Sequence, residues 1–154
     1  MKDKSINETF YIEQYKLYVE MADRVSARRI EASKFYTSLV SAFFAVIPIL
    51  LTQNVSPYVQ NLSLFIISLL GIALCIVWSI NLRSYKQLNG LKFEVINEME
   101  GHLPFRCFEQ EWKLISNPDN NRNYTRLSQV EMFVPFLFSI FFVGIIISTF
   151  AIEG

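Results

Sequence analysis

Apolar side chains fall along this chain in two patterns: stripes at helical spacing, and long runs almost free of polar residues. Phe10, Tyr11, Tyr15, Tyr18, Ala22 and Val25 recur every three to four residues, which predicts a helix with one apolar face. Ser5-x-x-Glu8 offers a capping box for its start, and nothing breaks the pattern before Lys34. Apolar runs then occupy residues 35–51, 62–82 and 132–152. At a rise of about 1.5 Å per residue the runs measure about 25, 31 and 31 Å, enough to cross a bilayer three times. Pro48 lies near the end of the first run and Pro135 in the first turns of the third. The stretch "TQNVSPYVQN" joins the first two runs, with Pro57 as a turn signal.

Between the second and third runs the periodicity returns. Tyr85, Leu88, Lys92, Val95 and Met99 fall near one face, flanked by Leu91 and Ile96. This predicts a helix continuous with the second run, weakened at Gly90 by about 1 kcal/mol. "GHLP" ends it, with Gly101 suited to a left-handed cap and Pro104 unable to continue. "FRCFEQEWKLI" predicts a short helix anchored by Phe105, Phe108, Trp112 and Ile115, and "SNPDNNRN" predicts a loop. Ser128-x-x-Glu131 is a second candidate capping box, just where the third run begins.

Charge sharpens this into a topology. No Asp, Glu, Lys or Arg occurs from Phe35 to Leu82, or from Met132 to Ile152. Of the 14 basic residues, seven lie in residues 1–34 and seven in 83–130. The positive-inside rule therefore puts both segments in the cytoplasm. The expected fold is an all-α membrane protein: three transmembrane helices, a long cytoplasmic N-terminal helix and a helical cytoplasmic middle segment. Its expected divisions are a cytoplasmic helix 1–34, spans 35–51, 62–82 and 131–152, an external loop 52–61, a cytoplasmic segment 83–130 and an external tail 153–154. The N-terminus is mixed in charge and is not expected to be a signal peptide. Lys34, Trp78 and Arg83 are the expected membrane-interface residues, and basic residues there attract anionic headgroups and lipid. Glu20–Arg24, Arg28–Glu31 and Glu31–Lys34 are spaced as helical ion pairs.

The chemistry on offer is sparse. Basic and acidic residues balance at 14 each, so nucleic acid is not an expected partner. The two cysteines, Cys75 and Cys107, lie in an apolar and a polar segment, and they are expected as free thiols. No glycine-rich phosphate loop, GxSxG or zinc spacing occurs. His102 is the one histidine, and its place at a helix end predicts a capping or interfacial role, so the chain is not expected to be an enzyme. Glu98 and Glu100, two apart, do not share a helical face. No cofactor or metal is expected. Among the runs, Cys75 and Tyr36 are the only ionisable groups, which argues against an ion-coupled carrier. Small polar residues such as Ser38, Ser41, Ser68, Ser79, Ser139 and Ser148 suit helix contacts, or a wet lumen in an oligomer.

The stretch "YKLYVEMADRVSARRIEASKFY" ahead of a two-span hairpin resembles the small bacterial membrane proteins called SLATT, proposed as effectors in nucleotide-signalling and antiviral conflict systems. "WSINLRSYKQLNGLKFEVINEME", "LPFRCFEQEW" and "YTRLSQVEMFVPFLF" resemble the RipA family, described as octameric bacterial inner-membrane proteins. The resemblance covers about Tyr15 to Phe150. It implies a homo-octamer in which cytoplasmic helices ring a bundle of spans. Candidate interface positions that match it are Glu20, Asp23, Arg24, Arg28, Arg29, Tyr85, Lys92, Glu94 and Trp112. The function it implies is a pore, formed or gated as a stress or antiviral-defence effector. The alternative is a non-conducting scaffold for envelope adaptation or virulence-associated fitness. With no sensor domain in the sequence, the trigger is expected from an unknown sensor or partner protein.

Overall fold

The structure is a computed structural model that describes residues 2–116 and 127–152, with side chains described over 8–116 and 130–151. Four helices account for it: α1 (Lys2–Thr52), α2 (Pro57–Glu100), α3 (Cys107–Ser116) and α4 (Leu127–Ile152). No strand occurs among the described residues. α1, α2 and α4 are long and apolar enough to cross a membrane. The expected loop "SNPDNNRN" and the external tail lie outside the described residues, apart from Ser116, which closes α3.

Several local expectations change. α1 is already helical at Lys2, so Ser5 lies inside the helix and does not cap it. It then continues past Pro48 to Thr52. Pro48 removes one backbone donor only in the last turns, where the helix ends anyway. The Leu50 and Leu51 carbonyls there accept hydrogen bonds from Gln60 Nε2 at 3.3 and 3.2 Å. Pro57 starts α2 rather than turning the chain, because proline suits a first helical position that needs no N–H partner. α4 begins at Leu127, one residue before Ser128. Gly101 does not enter the left-handed region, since no positive-φ glycine occurs among the described residues. α2 ends instead in tight i→i−3 bonds: Gly101 N to Glu98 O, His102 N to Met99 O and Leu103 N to Glu100 O, each 3.1 Å. These satisfy the terminal carbonyls without a left-handed residue.

The chain forms two compact units, Met1–Arg29 with Tyr85–Arg126, and Ile30–Ser84 with Leu127–Gly154. The second unit contains both charge-free runs. Its core is Val40, Cys75 and Phe142, all fully buried, with Phe43, Phe44, Ile47, Ile72, Leu74, Phe138 and Ile145 packed around them. Phe44 meets Phe138, Phe141 and Phe142 at ring distances of 5.3, 4.7 and 5.0 Å. Gly71 lets α2 approach that cluster: a Cβ there would lie 2.5 Å from the Phe142 ring. Cys75 is buried and unbridged, facing neighbouring helices rather than lipid. Trp78 is only 2% exposed. It stacks on Tyr36 and lies beside Phe138, so its ring turns into the bundle and not outward to headgroups.

Candidate functional site

The first unit is built on a heptad seam. Tyr11, Tyr15, Tyr18, Ala22, Val25 and Arg29 of α1 alternate at spacings of four and three and are buried or half-buried. Tyr85, Asn89, Lys92, Ile96 and Met99 of α2 do the same. This is the pattern of two helices packed side by side, and here they run antiparallel. Tyr11 Oη donates to Met99 O at 2.7 Å. Further along, the Lys92 ammonium sits 5.3 Å from the Tyr18 ring centroid. Phe10, expected on the inner stripe, is 61% exposed, since it lies one residue, or 100° of helix, away from Tyr11.

Glu100, the last residue of α2, is fully buried beside that seam. Its carboxylate accepts from Tyr15 Oη at 2.9 Å. It also accepts from Phe108 N at 3.1 and 3.2 Å, and from Glu109 N at 3.4 Å. Phe108 and Glu109 are in the first turn of α3, where amides lack partners inside the helix and the dipole favours negative charge. Glu100 thus caps α3 from across a turn and fixes it to the α1–α2 pair. A buried carboxylate is costly unless its lone pairs are engaged, and here three donors engage them. Burial, together with the hydrogen bond to Glu100 and its negative charge, pushes the Tyr15 phenol up to about 12.

His102 is exposed, edge-on to Tyr11 at a ring distance of 5.9 Å. Its Nδ1 lies 3.3 Å from both Tyr11 Oη and Glu98 O. Tyr11 spends its proton on Met99 O, so both of these oxygens are acceptors and Nδ1 carries the hydrogen. The histidine therefore stabilises a helix end. Glu98 is exposed while Glu100 is buried, consistent with their different faces. Among the described residues no group of three or more His, Cys, Asp or Glu side chains could hold a metal ion.

α3 covers one side of the pair. Phe108 enters a cleft of about 300 Å³ with Val19, Ala22, Asp23, Ser26, Phe93 and Ile96. A second cleft of about 530 Å³ opens along α3, lined by Phe93, Asn97, Phe108, Glu111, Trp112 and Ile115. Phe108 and Ile115 are the inward anchors; Phe105 and Trp112, expected to be anchors, are 63% and 50% exposed.

The candidate interface positions do not form one patch. Arg29, Tyr85 and Lys92 are half-buried at the seam. Asp23 lines the Phe108 cleft, and Trp112 lines the larger one. Glu20 and Arg24 pair at 2.7 Å on the exposed face of α1, while Arg28 and Glu94 are exposed elsewhere. Among the described residues neither Arg28–Glu31 nor Glu31–Lys34 closes into an ion pair, and all three side chains are exposed. In the second unit Lys34 and Arg83 are exposed. Glu100 went unrecognised in the sequence because its partners lie 8, 9 and 85 residues away, beyond any local capping pattern. The available signal was its place beside the seam residue Ile96, one turn on.

In a comparison with protein families, the model of the octameric membrane protein family matches residues 12–151. Comparisons with curated proteins and with solved structures gave no match.

Proposed function

Because the chain belongs to the octameric membrane protein family, a homo-oligomeric membrane protein, we propose that its copies form or gate a pore in the bacterial inner membrane. The observation that carries this reading is the exposed face of α1 in the second unit. Lys34, Ser38, Ser41, Ala45, Pro48 and Thr52 are all exposed and recur at spacings of four and three, so they share one stripe. The rest of that unit's exposed surface is mostly large and apolar, for example Ile66, Leu69, Ile76, Ile80, Phe136 and Phe141. Gly144 and Ser148 of α4 are exceptions. Large apolar faces suit lipid, and a small polar face suits a lumen or a neighbouring helix.

In this reading the first unit is cytoplasmic, since all 14 basic residues lie in segments 1–34 and 83–130. The C-terminus is external. The assembly acts as a stress or antiviral-defence effector, with a separate sensor protein as its trigger, and it catalyses no reaction. Nucleic acid is not a partner. Anionic lipid meets Lys34 and Arg83.

One observation favours the second reading, a non-conducting scaffold for envelope adaptation or virulence-associated fitness. Thr37 and Ser38 hydroxyls donate to Ser33 O and Lys34 O of their own helix at 2.8 and 2.9 Å, so part of the stripe can pack dry. Ser41→Cys, with Cys75 and Cys107 replaced, separates the readings. A lumen gives labelling by a membrane-impermeant thiol reagent and conductance in planar bilayers, with Ile76→Cys unlabelled. An unlabelled Ser41→Cys in a non-conducting assembly would leave the scaffold.

A further inference from the structure

The first unit carries an apolar surface on the side away from α3. On α1, the residues that line the clefts with Phe108 are Val19, Asp23 and Ser26. On α2, Phe93 and Asn97 line them and Glu100 accepts from Phe108 N. Relative to the seam these positions all lie to one side. At 100° per residue, Leu17 and Met21 of α1, and Leu88, Leu91 and Val95 of α2, lie to the other side. Because the helices are antiparallel, those two sets form one continuous face. The five side chains are 37–60% exposed. The unit is rich in charge, holding every charged residue of the chain except Glu31, Lys34, Arg83, Glu131 and Glu153, so this face meets water and not hydrocarbon. Grouped exposed apolar side chains on such a unit mark an interaction site.

We propose that this face is half of the contact between neighbouring copies, and that it packs against the α3 side of the next copy, into the cleft of Phe93, Phe108, Trp112 and Ile115. The inference rests on the homo-oligomeric reading of the family and adds the surface. A closed ring needs a head-to-tail interface, with two different complementary surfaces on each subunit. The unit offers two apolar surfaces on opposite sides of one helix pair, with α3 held in place by Glu100. Charge matches as well. Arg28 continues the stripe of Met21 one heptad on and is exposed; Glu111 is exposed in the lining of the cleft. Neither has an ion-pair partner among the described residues.

The test is disulfide trapping in the full chain, in membranes, with Cys75 and Cys107 replaced. Leu91→Cys combined with Trp112→Cys is expected to give a ladder of cross-linked species that ends at the closed ring, and each single variant is expected to stay monomeric on a denaturing gel. Met21→Cys with Ile115→Cys is a second pair, in case the first disturbs folding. Arg28→Glu is expected to weaken association by about two- to five-fold per interface, and Glu111→Arg in the same chain to restore it. Dimers from Leu91→Cys alone would show the face meeting its own copy and overturn the head-to-tail pairing. No trapping by either pair, in an assembly whose mass is intact, would overturn the surface itself. These readouts follow assembly and not conductance, so a trapped ring without current would count against the pore and leave the interface standing.

Discussion

Tyr15 donates to the Glu100 carboxylate at 2.9 Å across 85 residues of sequence, and the same carboxylate holds the first amides of α3 at 3.1–3.4 Å. One side chain therefore connects three helices of the first unit. Removing a buried hydrogen-bonding charge costs about 1.5–3 kcal/mol. Glu100→Ala is expected to raise hydrogen exchange at the Phe108 and Glu109 amides and to destabilise α3 by about that amount. Glu100→Gln keeps one acceptor oxygen and is expected to cost less. Unchanged exchange at both amides in Glu100→Ala would remove the capping role.

Tyr15 carries a pH signature. Its phenol is raised from 10.0 to about 12 in the folded chain, so between those values the unfolded chain gives up a proton that the folded chain keeps. The contribution to stability is complete below pH 10 and is lost as pH rises through about 12. An ultraviolet phenolate titration is expected to lose a late component in Tyr15→Phe.

Glu109 gives the complementary acid limb. Its carboxylate receives Lys113 Nζ at 2.7 Å and Arg106 at 2.9 Å. Hydrogen bonds from Lys113 and Arg106 lower its pKa from 4.5. A lowered value stabilises the folded form above the unfolded pKa, and that contribution fades as pH falls through the folded one. The Glu109 titration, followed by NMR, is expected to move up toward 4.5 in Lys113→Ala. The pair is exposed, so global stability is expected to change little.

Gly71 tests the core of the second unit. Its missing Cβ leaves room for the Phe142 ring, which would otherwise stand 2.5–2.7 Å away. That ring is fully buried and cannot swing aside. Gly71→Ala is expected to destabilise by about 1–3 kcal/mol, read as a lower aggregation temperature in detergent. Adding Phe142→Leu is expected to recover part of the loss.

The long-range pattern was legible in the sequence. The charge-free runs mark the three helices able to span a membrane, because hydrocarbon excludes charge along the stretch that crosses it. The stripe from Tyr11 to Val25 marked the seam, since a helix repeats every 3.6 residues. What the sequence did not show depends on one-residue differences in facing or on distant partners. Phe10 and Tyr11 are equally aromatic, and only the seam decides which turns in. Trp78 reads as an interfacial residue from its place near the end of a run, yet Tyr36 and Phe138 draw its ring inward. Pairs predicted from helical spacing fared differently: Glu20–Arg24, four apart, closes at 2.7 Å, and Arg28, three before Glu31, stays available. Glu100 was invisible as a cap because its helix lies across a turn.

The mass of the complex in nanodiscs, by native mass spectrometry, tests the central claim most directly. Eight chains of 17.9 kDa, about 143 kDa of protein, is the expected result, and it would make conductance through the assembly the next question. A monomer or dimer would contradict the account, because three spanning helices have no lumen to enclose and the two apolar faces of the first unit would have no neighbours to meet.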